Sequence, residues 1–254
     1  MTWQRYVALG DSFTEGVGDP DAGRPNGVRG WADRFAGAMG ARLPELQYAN
    51  LAIRGRKMRA ILAEQVEPAL ALRPDLVSIY AGANDVLRPS IDIDALMDDY
   101  DAAIARLSAS AHVVMFTAYD PGGDAIFAML RGRFAIYNEM VREIAERHGA
   151  TLVDFWRMRE YRDGRYWDVD RIHMSSVGHQ RMAVAVADAL GVRHDLAPLP
   201  LPDPPSSALL LRAAANAAWA GRHAAPWIGR RLRGTSSGDA LNPRHAVMVP
   251  ARDL

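Results

Sequence analysis

Residues 6–16 read YVALGDSFTEG, an apolar run that ends in a glycine and is followed at once by an acid and a serine. The run from Tyr6 to Leu9 is short and uncharged, which predicts a buried β-strand. Gly10 supplies the backbone freedom of a tight turn, and the residues after it can open a helix. Ser12 therefore stands at the carboxyl end of a strand, where it is either a helix N-cap residue or a nucleophile.

The same alternation of short apolar runs and longer amphipathic segments continues to about residue 190. Strands are predicted at 6–9, 48–52, 76–80, 112–117 and 151–154, and helices at 31–39, 57–70, 93–107, 124–147 and 176–190. Five strands separated by helices predict an α/β protein whose parallel sheet is covered on both faces. In such sheets ligands bind at the carboxyl ends of the strands, so the loops there are the candidate site.

The length and composition favour one large domain with an appendage. The chain has 254 residues, 49% hydrophobic and 24% charged, as is ordinary for a globular protein. After residue 194, prolines recur at nearly every second position, a pattern typical of an extended linker. We predict a catalytic domain over 1–194, a Pro-rich linker over 195–206, and a basic, partly helical tail over 207–254.

Charge and cysteine usage exclude several classes of protein. Thirty Lys+Arg against thirty Asp+Glu give a formal net charge of zero, so no overall field attracts nucleic acid or an anionic membrane. No uncharged apolar run reaches the length of a membrane span, and no signal-peptide pattern opens the chain. Without cysteine there is no disulfide framework and no thiolate nucleophile. We predict a cytoplasmic protein.

Two further loops place amide groups beside the serine loop. In Gly82-Ala83-Asn84-Asp85, after the third predicted strand, Asn84 offers a side-chain N–H₂. It lies next to the serine loop if strands one and three are neighbours, as in flavodoxin-like order, and an Asx turn is the alternative interpretation. Gly55, after the second strand, has a backbone N–H that a ligand can approach closely. Amide donors beside a serine hydroxyl are what an oxyanion hole requires.

Asp170 and His173 lie three residues apart, just ahead of the last predicted helix. The carboxylate can contact one imidazole nitrogen while the other nitrogen faces a serine. His179, inside that helix, is either a structural histidine or part of the site. A metal-dependent phosphoesterase stays open as an alternative, because six residues of metal-ligating type occur in these loops and in the last helix: Asp11, Asn84, Asp168, Asp170, His173 and His179.

In this order and at these strand ends, the four segments resemble the SGNH or GDSL hydrolase family over about residues 6–191. They match its serine block at 10–12, its glycine at 55, its asparagine block at 82–85 and its Asp-x-x-His block at 170–173. Phe13 stands where the eponymous form has leucine. The resemblance implies a three-layer α/β/α sandwich with a five-stranded parallel sheet. It also implies a serine esterase or acylhydrolase that needs no cofactor and no metal.

The resemblance assigns a role to each matched residue. Ser12 attacks an acyl carbonyl, His173 is the general base, and Asp170 orients the imidazole. The backbone N–H groups of Ser12 and Gly55 and the side chain of Asn84 form the oxyanion hole. If water takes the acyl group the enzyme is a hydrolase, and if a sugar or other alcohol takes it the enzyme is an acyltransferase.

The substrate is predicted to be a small-molecule acyl ester. Arg54 and Arg56 flank Gly55, and they either begin a solvated helix, face acidic residues of the rest of the domain, or recognise an anionic portion of the substrate. We also assign Asp11, Asp85 and Phe127 to the substrate-binding set, Phe127 because the apolar segment 119–134 either walls the acyl pocket or packs in the core. Since all four motifs precede residue 191, a chain ending near 196 is expected to keep catalysis on a short ester.

Overall fold

The computed structural model describes residues 3–88, 90–123, 128–204 and 237–254. The strands are β1 (Arg5–Gly10), β2 (Gln47–Asn50), β3 (Leu76–Tyr80), β4 (His112–Phe116), β5 (Thr151–Val153) and β6 (His245–Pro250). The helices are α1 (Ser12–Glu15), α2 (Gly30–Arg42), α3 (Met58–Ala71), α4 (Ala83–Val86), α5 (Ile93–Ser108), α6 (Arg131–Arg147) and α7 (Ser176–Ala189). Short 3₁₀ turns connect several of them.

The strands form one sheet in the order β5-β4-β3-β1-β2-β6. Strands β1 to β5 are parallel, which confirms the α/β class and the flavodoxin-like order. The predicted count of five is one strand too low, because β6 pairs antiparallel with β2 at the edge of the sheet. Its sequence, HAVMVP, does contain an apolar run at 246–249, but that run lies in the Gly- and Pro-containing tail beyond the predicted linker, and no residue of β6 is fully buried.

Helices cover both faces of the sheet and complete the predicted three-layer sandwich. Along β1, Val7 and Leu9 pack into an apolar layer with α3, α5 and α6, whereas Tyr6 and Ala8 pack into a second layer with α2 and α7. This split follows from the two-residue period of a strand, whose side chains alternate between the faces. All four side chains are essentially inaccessible to solvent, so burial on both faces fixes the loops at the carboxyl edge.

The last 18 residues described, 237–254, are called here the C-terminal segment. They contribute β6, and Ala251 is fully buried against the backbone of α2 at Gly40. The predicted boundary at 194 therefore leaves an edge strand of the sheet outside the predicted catalytic domain. The part of the tail predicted to be helical, 206–233, lies outside the described residues. Within those residues, no helix is long and apolar enough to cross a membrane.

Candidate active site

The serine loop begins at Gly10, the last residue of β1. Gly10 has a φ of 145°, and a Cβ there would come within 2.7 Å of both Thr14 Oγ1 and the Tyr80 carbonyl oxygen. Gln65 of α3 accepts a hydrogen bond from the Gly10 N–H (2.8 Å) and donates one to its carbonyl (2.9 Å). A buried glutamine therefore fixes the turn that presents Ser12. The sequence motifs did not include Gln65, and a polar residue on the apolar side of α3 is the signal that could have identified it.

Ser12 is the first residue of α1 and is half-buried. The N-cap residue is Asp11, whose Oδ1 accepts a hydrogen bond from the Phe13 N–H at 3.0 Å, so the interpretation of Ser12 as the N-cap is wrong. Asp11 Oδ2 accepts a second hydrogen bond, from Asn84 Nδ2, at 2.8 Å. Burial raises the pKa of the Asp11 carboxyl to about 7, against the lowering effects of the Phe13 N–H and the His173 charge.

Asn84 connects the serine loop to the glycine loop. Its Nδ2 donates to Asp11 and also, over a longer 3.3 Å, to the Arg56 carbonyl oxygen. These partners lie 73 and 28 residues away along the chain, so the side chain bridges two loops instead of closing a local Asx turn. One of its two N–H groups is firmly held, and the other makes the longer and weaker contact.

Gly55 lies in an exposed turn and has a φ of 79°, a left-handed conformation that disfavours other residues. The turn is closed by a hydrogen bond from the Arg56 N–H to the Ile53 carbonyl (3.4 Å), and Ile53 N–H donates to Gly10 (3.2 Å). The Gly55 loop therefore follows directly from the pairing of β2 with β1. Through Ile53 the loop is tied to Gly10, the last residue of the strand that leads to Ser12.

The arginines beside Gly55 are ion-paired within the protein. Arg54 Nη2 lies 2.7 Å from Glu15 Oε1, and that carboxylate is fully buried. Arg56 Nε lies 2.8 Å from Glu64 Oε2, and its Nη1 lies 3.3 Å from Asp239 Oδ1. These pairs favour the alternative in which the arginines face acidic residues of the protein, and they give no support to recognition of an anionic substrate by Arg54 or Arg56.

Two other residues of the predicted substrate-binding set lie inside the protein. Asp11 and Asp85 are only 3% and 4% exposed. Asp85 Oδ2 accepts a hydrogen bond from the Met58 N–H at the start of α3 (2.9 Å), and burial raises the pKa of its carboxyl. Both carboxylates are therefore internal supports of the site. Phe127 lies outside the described residues.

Asp170 and His173 form the predicted carboxylate–imidazole pair. His173 Nδ1 lies 2.6 Å from Asp170 Oδ2, while Oδ1 accepts hydrogen bonds from the N–H groups of Ile172 (2.9 Å) and His173 (3.0 Å). Burial alone would raise the pKa of Asp170, but these hydrogen bonds and the His173 ring lower it to about 2. An ionised Asp170 places the proton on Nδ1 and leaves Nε2 as the basic nitrogen.

The histidine loop lies against the chain that follows Ser12. A Cβ added to Gly18 would be 2.1 Å from the Met174 carbonyl oxygen and 3.1 Å from His173 Cβ. Together with the bridges made by Asn84, these contacts bring the four predicted motifs to one edge of the sheet. The motifs did not include Gly18, which the close approach of the two loops requires.

His179 is a structural histidine. It is fully buried, its Nδ1 accepts a hydrogen bond from the Trp31 N–H, and its Nε2 donates to the Val17 carbonyl, both at 3.1 Å. Burial lowers the pKa of the ring to about 4, so His179 is neutral near pH 7. It joins α7 to the loop that connects the serine to α2.

Acid is expected to destabilise the protein through His179. Its pKa rises from about 4 in the folded state to the ordinary 6.5 on unfolding, so between these values the unfolded chain binds the extra proton and stability falls as pH falls. Asp11 acts in the opposite sense over this range, because its pKa is raised on folding. The substitution His179→Gln removes this titrating ring. We expect the loss of unfolding free energy that it causes to be about 2 kcal/mol smaller at pH 5 than at pH 7.5.

The measurement is urea unfolding of both proteins at the two pH values. The Asp11 contribution is present in both proteins and drops out of the difference. A difference in stability that stayed the same at pH 5 and pH 7.5 would contradict the assignment of a neutral His179.

No group of three or more His, Asp or Glu side chains suited to a metal ion occurs among the described residues. At this edge the structure places a serine, a hydrogen-bonded carboxylate–imidazole pair and amide groups. These are the residue types that acyl transfer through a serine uses.

Comparison with known proteins identifies the class. The model of the GDSL-like Lipase/Acylhydrolase family matches residues 8–181, and the chain belongs to this family. A curated relative, an acetylxylan esterase of Geobacillus stearothermophilus, is 28% identical over 210 residues, which cover 74% of this chain and 94% of the relative. The resemblance stated from the sequence is confirmed, and the family chemistry is that of an esterase.

Solved structures agree with this fold. The α/β hydrolase LAE5, from the metagenome of Lake Arreo in Spain, is 27% identical with a TM-score of 0.62, covering 74% of this chain and 95% of its own. Axe2, an acetylxylan esterase from Geobacillus stearothermophilus, is 23% identical with a TM-score of 0.60, covering 75% and 96%. Structures of Axe2 include catalytic mutants in which a serine, a histidine or an aspartate is replaced by alanine.

Proposed function

We propose that the protein is a serine carboxylic ester hydrolase that acts through an acyl-enzyme at Ser12. The observation that carries the proposal is the 2.6 Å hydrogen bond between His173 Nδ1 and Asp170, at the sheet edge where β1 ends and the helix that begins with Ser12 follows. An imidazole held in this way has a basic Nε2, which is what a serine hydroxyl needs to become a nucleophile. The catalytic mutants of Axe2 concern the same three residue types.

The proposed reaction has two halves. His173 Nε2 takes the proton of the Ser12 hydroxyl as Oγ attacks the acyl carbon, and the tetrahedral intermediate expels the alcohol, which receives that proton. Water then attacks the acyl-enzyme, giving its proton to His173, and the acid leaves as Ser12 is restored with the proton from the imidazole. Asp170 stays ionised throughout and stabilises the imidazolium.

The developing oxyanion would be bound by the N–H groups of Ser12 and Gly55 and by Asn84. The N–H of Asn84 that makes the long contact to the Arg56 carbonyl (3.3 Å) is the one available to the oxyanion. The other stays on Asp11 and fixes the amide in place. Each such donor contributes about 3 to 4 kcal/mol to transition-state stabilisation.

Acetyl esters of sugar hydroxyls are the first substrates to test, because an acetylxylan esterase is among the relatives. The internal pairing of Arg54 and Arg56 favours an uncharged substrate. Transfer of the acyl group to a sugar or other alcohol is the alternative outcome of the same acyl-enzyme, and an assay with an added acceptor separates it from hydrolysis.

A fluorophosphonate probe is expected to label Ser12, because the probe reacts with an activated serine nucleophile. Labelling is read by mass spectrometry of the peptides. In parallel, release of p-nitrophenol from esters of increasing acyl length gives the chain-length preference, and adding an alcohol acceptor separates transfer from hydrolysis.

Ester turnover should survive prolonged incubation with EDTA, because amide N–H groups and not a metal ion would bind the oxyanion.

Two results would contradict this function. One is labelling of another serine, for example Ser236 in the Gly234-Thr235-Ser236-Ser237-Gly238 sequence, which matches the G-x-S-x-G pattern of other hydrolases. The other is loss of turnover on chelation that a divalent ion restores, which would favour a metal-dependent phosphoesterase.

A further inference from the structure

We propose that the C-terminal segment positions a catalytic group of the active site, because its turn at Gly238 sets the position of the Arg54–Gly55 peptide. The N–H of that peptide is the proposed oxyanion donor, so the inference rests on the proposed function. It adds a positioning role for residues outside the region that the family model matches, which ends at residue 181.

Gly238 is packed directly on the peptide. It is buried, and a Cβ added there would lie 2.2 Å from the Arg54 carbonyl oxygen, 3.2 Å from the Arg54 carbonyl carbon and 2.9 Å from Ile53 Cγ2. The first two atoms belong to the backbone, so rotating a side chain cannot relieve the contact. Because a peptide unit is planar, pushing the Arg54 C=O also turns the Gly55 N–H.

Glu15, three residues after the nucleophile, holds the same loop. Its fully buried carboxylate accepts hydrogen bonds from the Arg54 backbone N–H (2.6 Å) and from Arg54 Nη2 (2.7 Å). Asn26 Nδ2 donates to Glu15 Oε1 (3.0 Å) and to the Asn242 carbonyl of the C-terminal segment (3.1 Å). The serine helix, the Gly55 loop and the C-terminal segment are thus joined around one carboxylate.

The C-terminal segment is itself firmly anchored beside this carboxylate. The Arg244 side chain is fully buried, and its Nη1 donates to the backbone carbonyls of Glu15 (3.0 Å) and Arg29 (2.7 Å). Arg244 also pairs with the buried Asp33, at 2.5 Å and 3.0 Å. Asp239, next to Gly238, contacts Arg56 Nη1 at 3.3 Å. Because the C-terminal segment is fixed by these contacts, it can hold the Gly55 loop in one position.

A role in aiming an oxyanion donor has a kinetic signature. The oxyanion exists in the transition state and not in the bound substrate, so a misaligned N–H lowers kcat and leaves KM nearly unchanged. Loss of a purely structural contact instead lowers the melting temperature, with kcat per folded molecule preserved.

The experiment compares Gly238→Ala with Gly132→Ala. Gly132 lies in α6, and a Cβ there would meet nothing within 4 Å, so it is a matched glycine-to-alanine control. For Gly238→Ala we expect kcat on an acetyl ester to fall about 10-fold with KM within about twofold of wild type. Affinity for a boronic acid, which forms a tetrahedral adduct with the serine, should fall by a similar factor. Gly132→Ala should match wild type in all three quantities.

A folded Gly238→Ala protein with the kcat of Gly132→Ala would overturn the inference, provided that wild type is active and Ser12→Ala is not. If wild type shows no ester cleavage, or Ser12→Ala retains it, the proposed function fails instead.

If Gly238→Ala does not yield folded protein, the kinetics of Arg54→Lys test the inference in its place. It keeps a cation for Glu15 but loses the guanidinium fork, so kcat should fall at least about 5-fold with KM preserved. An unchanged kcat for Arg54→Lys would likewise overturn the inference.

Discussion

Replacing Ser12 by alanine is expected to lower kcat on an acetyl ester by at least about 10⁴-fold. The hydroxyl is the proposed attacking group, and the His173–Asp170 pair has no other proton to accept in that step. The fold should be preserved, because Ser12 is half-buried and the N-cap hydrogen bond of α1 is made by Asp11. Steady-state kinetics together with urea unfolding would show both effects.

Ser236→Ala is the matched control, because it removes a serine hydroxyl from the G-x-S-x-G pattern at 234–238. We expect its kcat to stay within about twofold of wild type, since that pattern forms a nucleophile elbow only between a strand and a helix. A Ser12→Ala enzyme with more than a hundredth of wild-type kcat, or an inactive Ser236→Ala, would show that the nucleophile has been assigned to the wrong serine.

The sequence predicted the inner strands and the site loops for one physical reason. In a parallel sheet, each strand is buried on both faces and reads as an apolar run, and every carboxyl end opens on the same edge. Ser12, Gly55 and Asn84 could therefore be placed near one another before any contact was known. The Asp170–His173 pair was predictable because its partners are only three residues apart.

The supports of the site were not predictable in this way, because they depend on pairings between distant residues. Arg244 meets Asp33 across 211 positions, and neither residue carries a local mark of burial, since charged side chains are usually exposed. Arg54 stood out as positive charge near Gly55, but its pairing with Glu15 becomes visible only when the loops are folded. The edge strand β6 was missed for a related reason, because its short apolar run at 246–249 stands alone in the tail and only its pairing with β2 shows that it belongs to the sheet.

Replacing Arg244 by methionine is expected to lower the free energy of unfolding by about 3 to 5 kcal/mol. Both side chains of the Arg244–Asp33 pair are fully buried, and removing one partner leaves a carboxylate without its counter-charge in a site that has little access to water. The carbonyl groups of Pro25, Glu15 and Arg29 lose donors at the same time. Urea unfolding of wild type and variant gives the difference.

Arg252→Met is the control for Arg244→Met, because it removes an arginine from the same segment. The Arg252 ion pair with Asp253 is long, at 3.9 Å, and both side chains are more than half exposed. We therefore expect Arg252→Met to lower the free energy of unfolding by less than about 0.5 kcal/mol.

The C-terminal segment also decides whether a chain ending near residue 196 can fold. From the positions of the four motifs alone, such a chain was expected to be active. That chain would lose β6 and Arg244, leaving the β2 edge unpaired and Asp33 without its counter-charge, so it should yield little soluble folded protein. A stable, active truncated chain, or an Arg244→Met protein as stable as Arg252→Met, would show that the sheet domain is complete without the C-terminal segment.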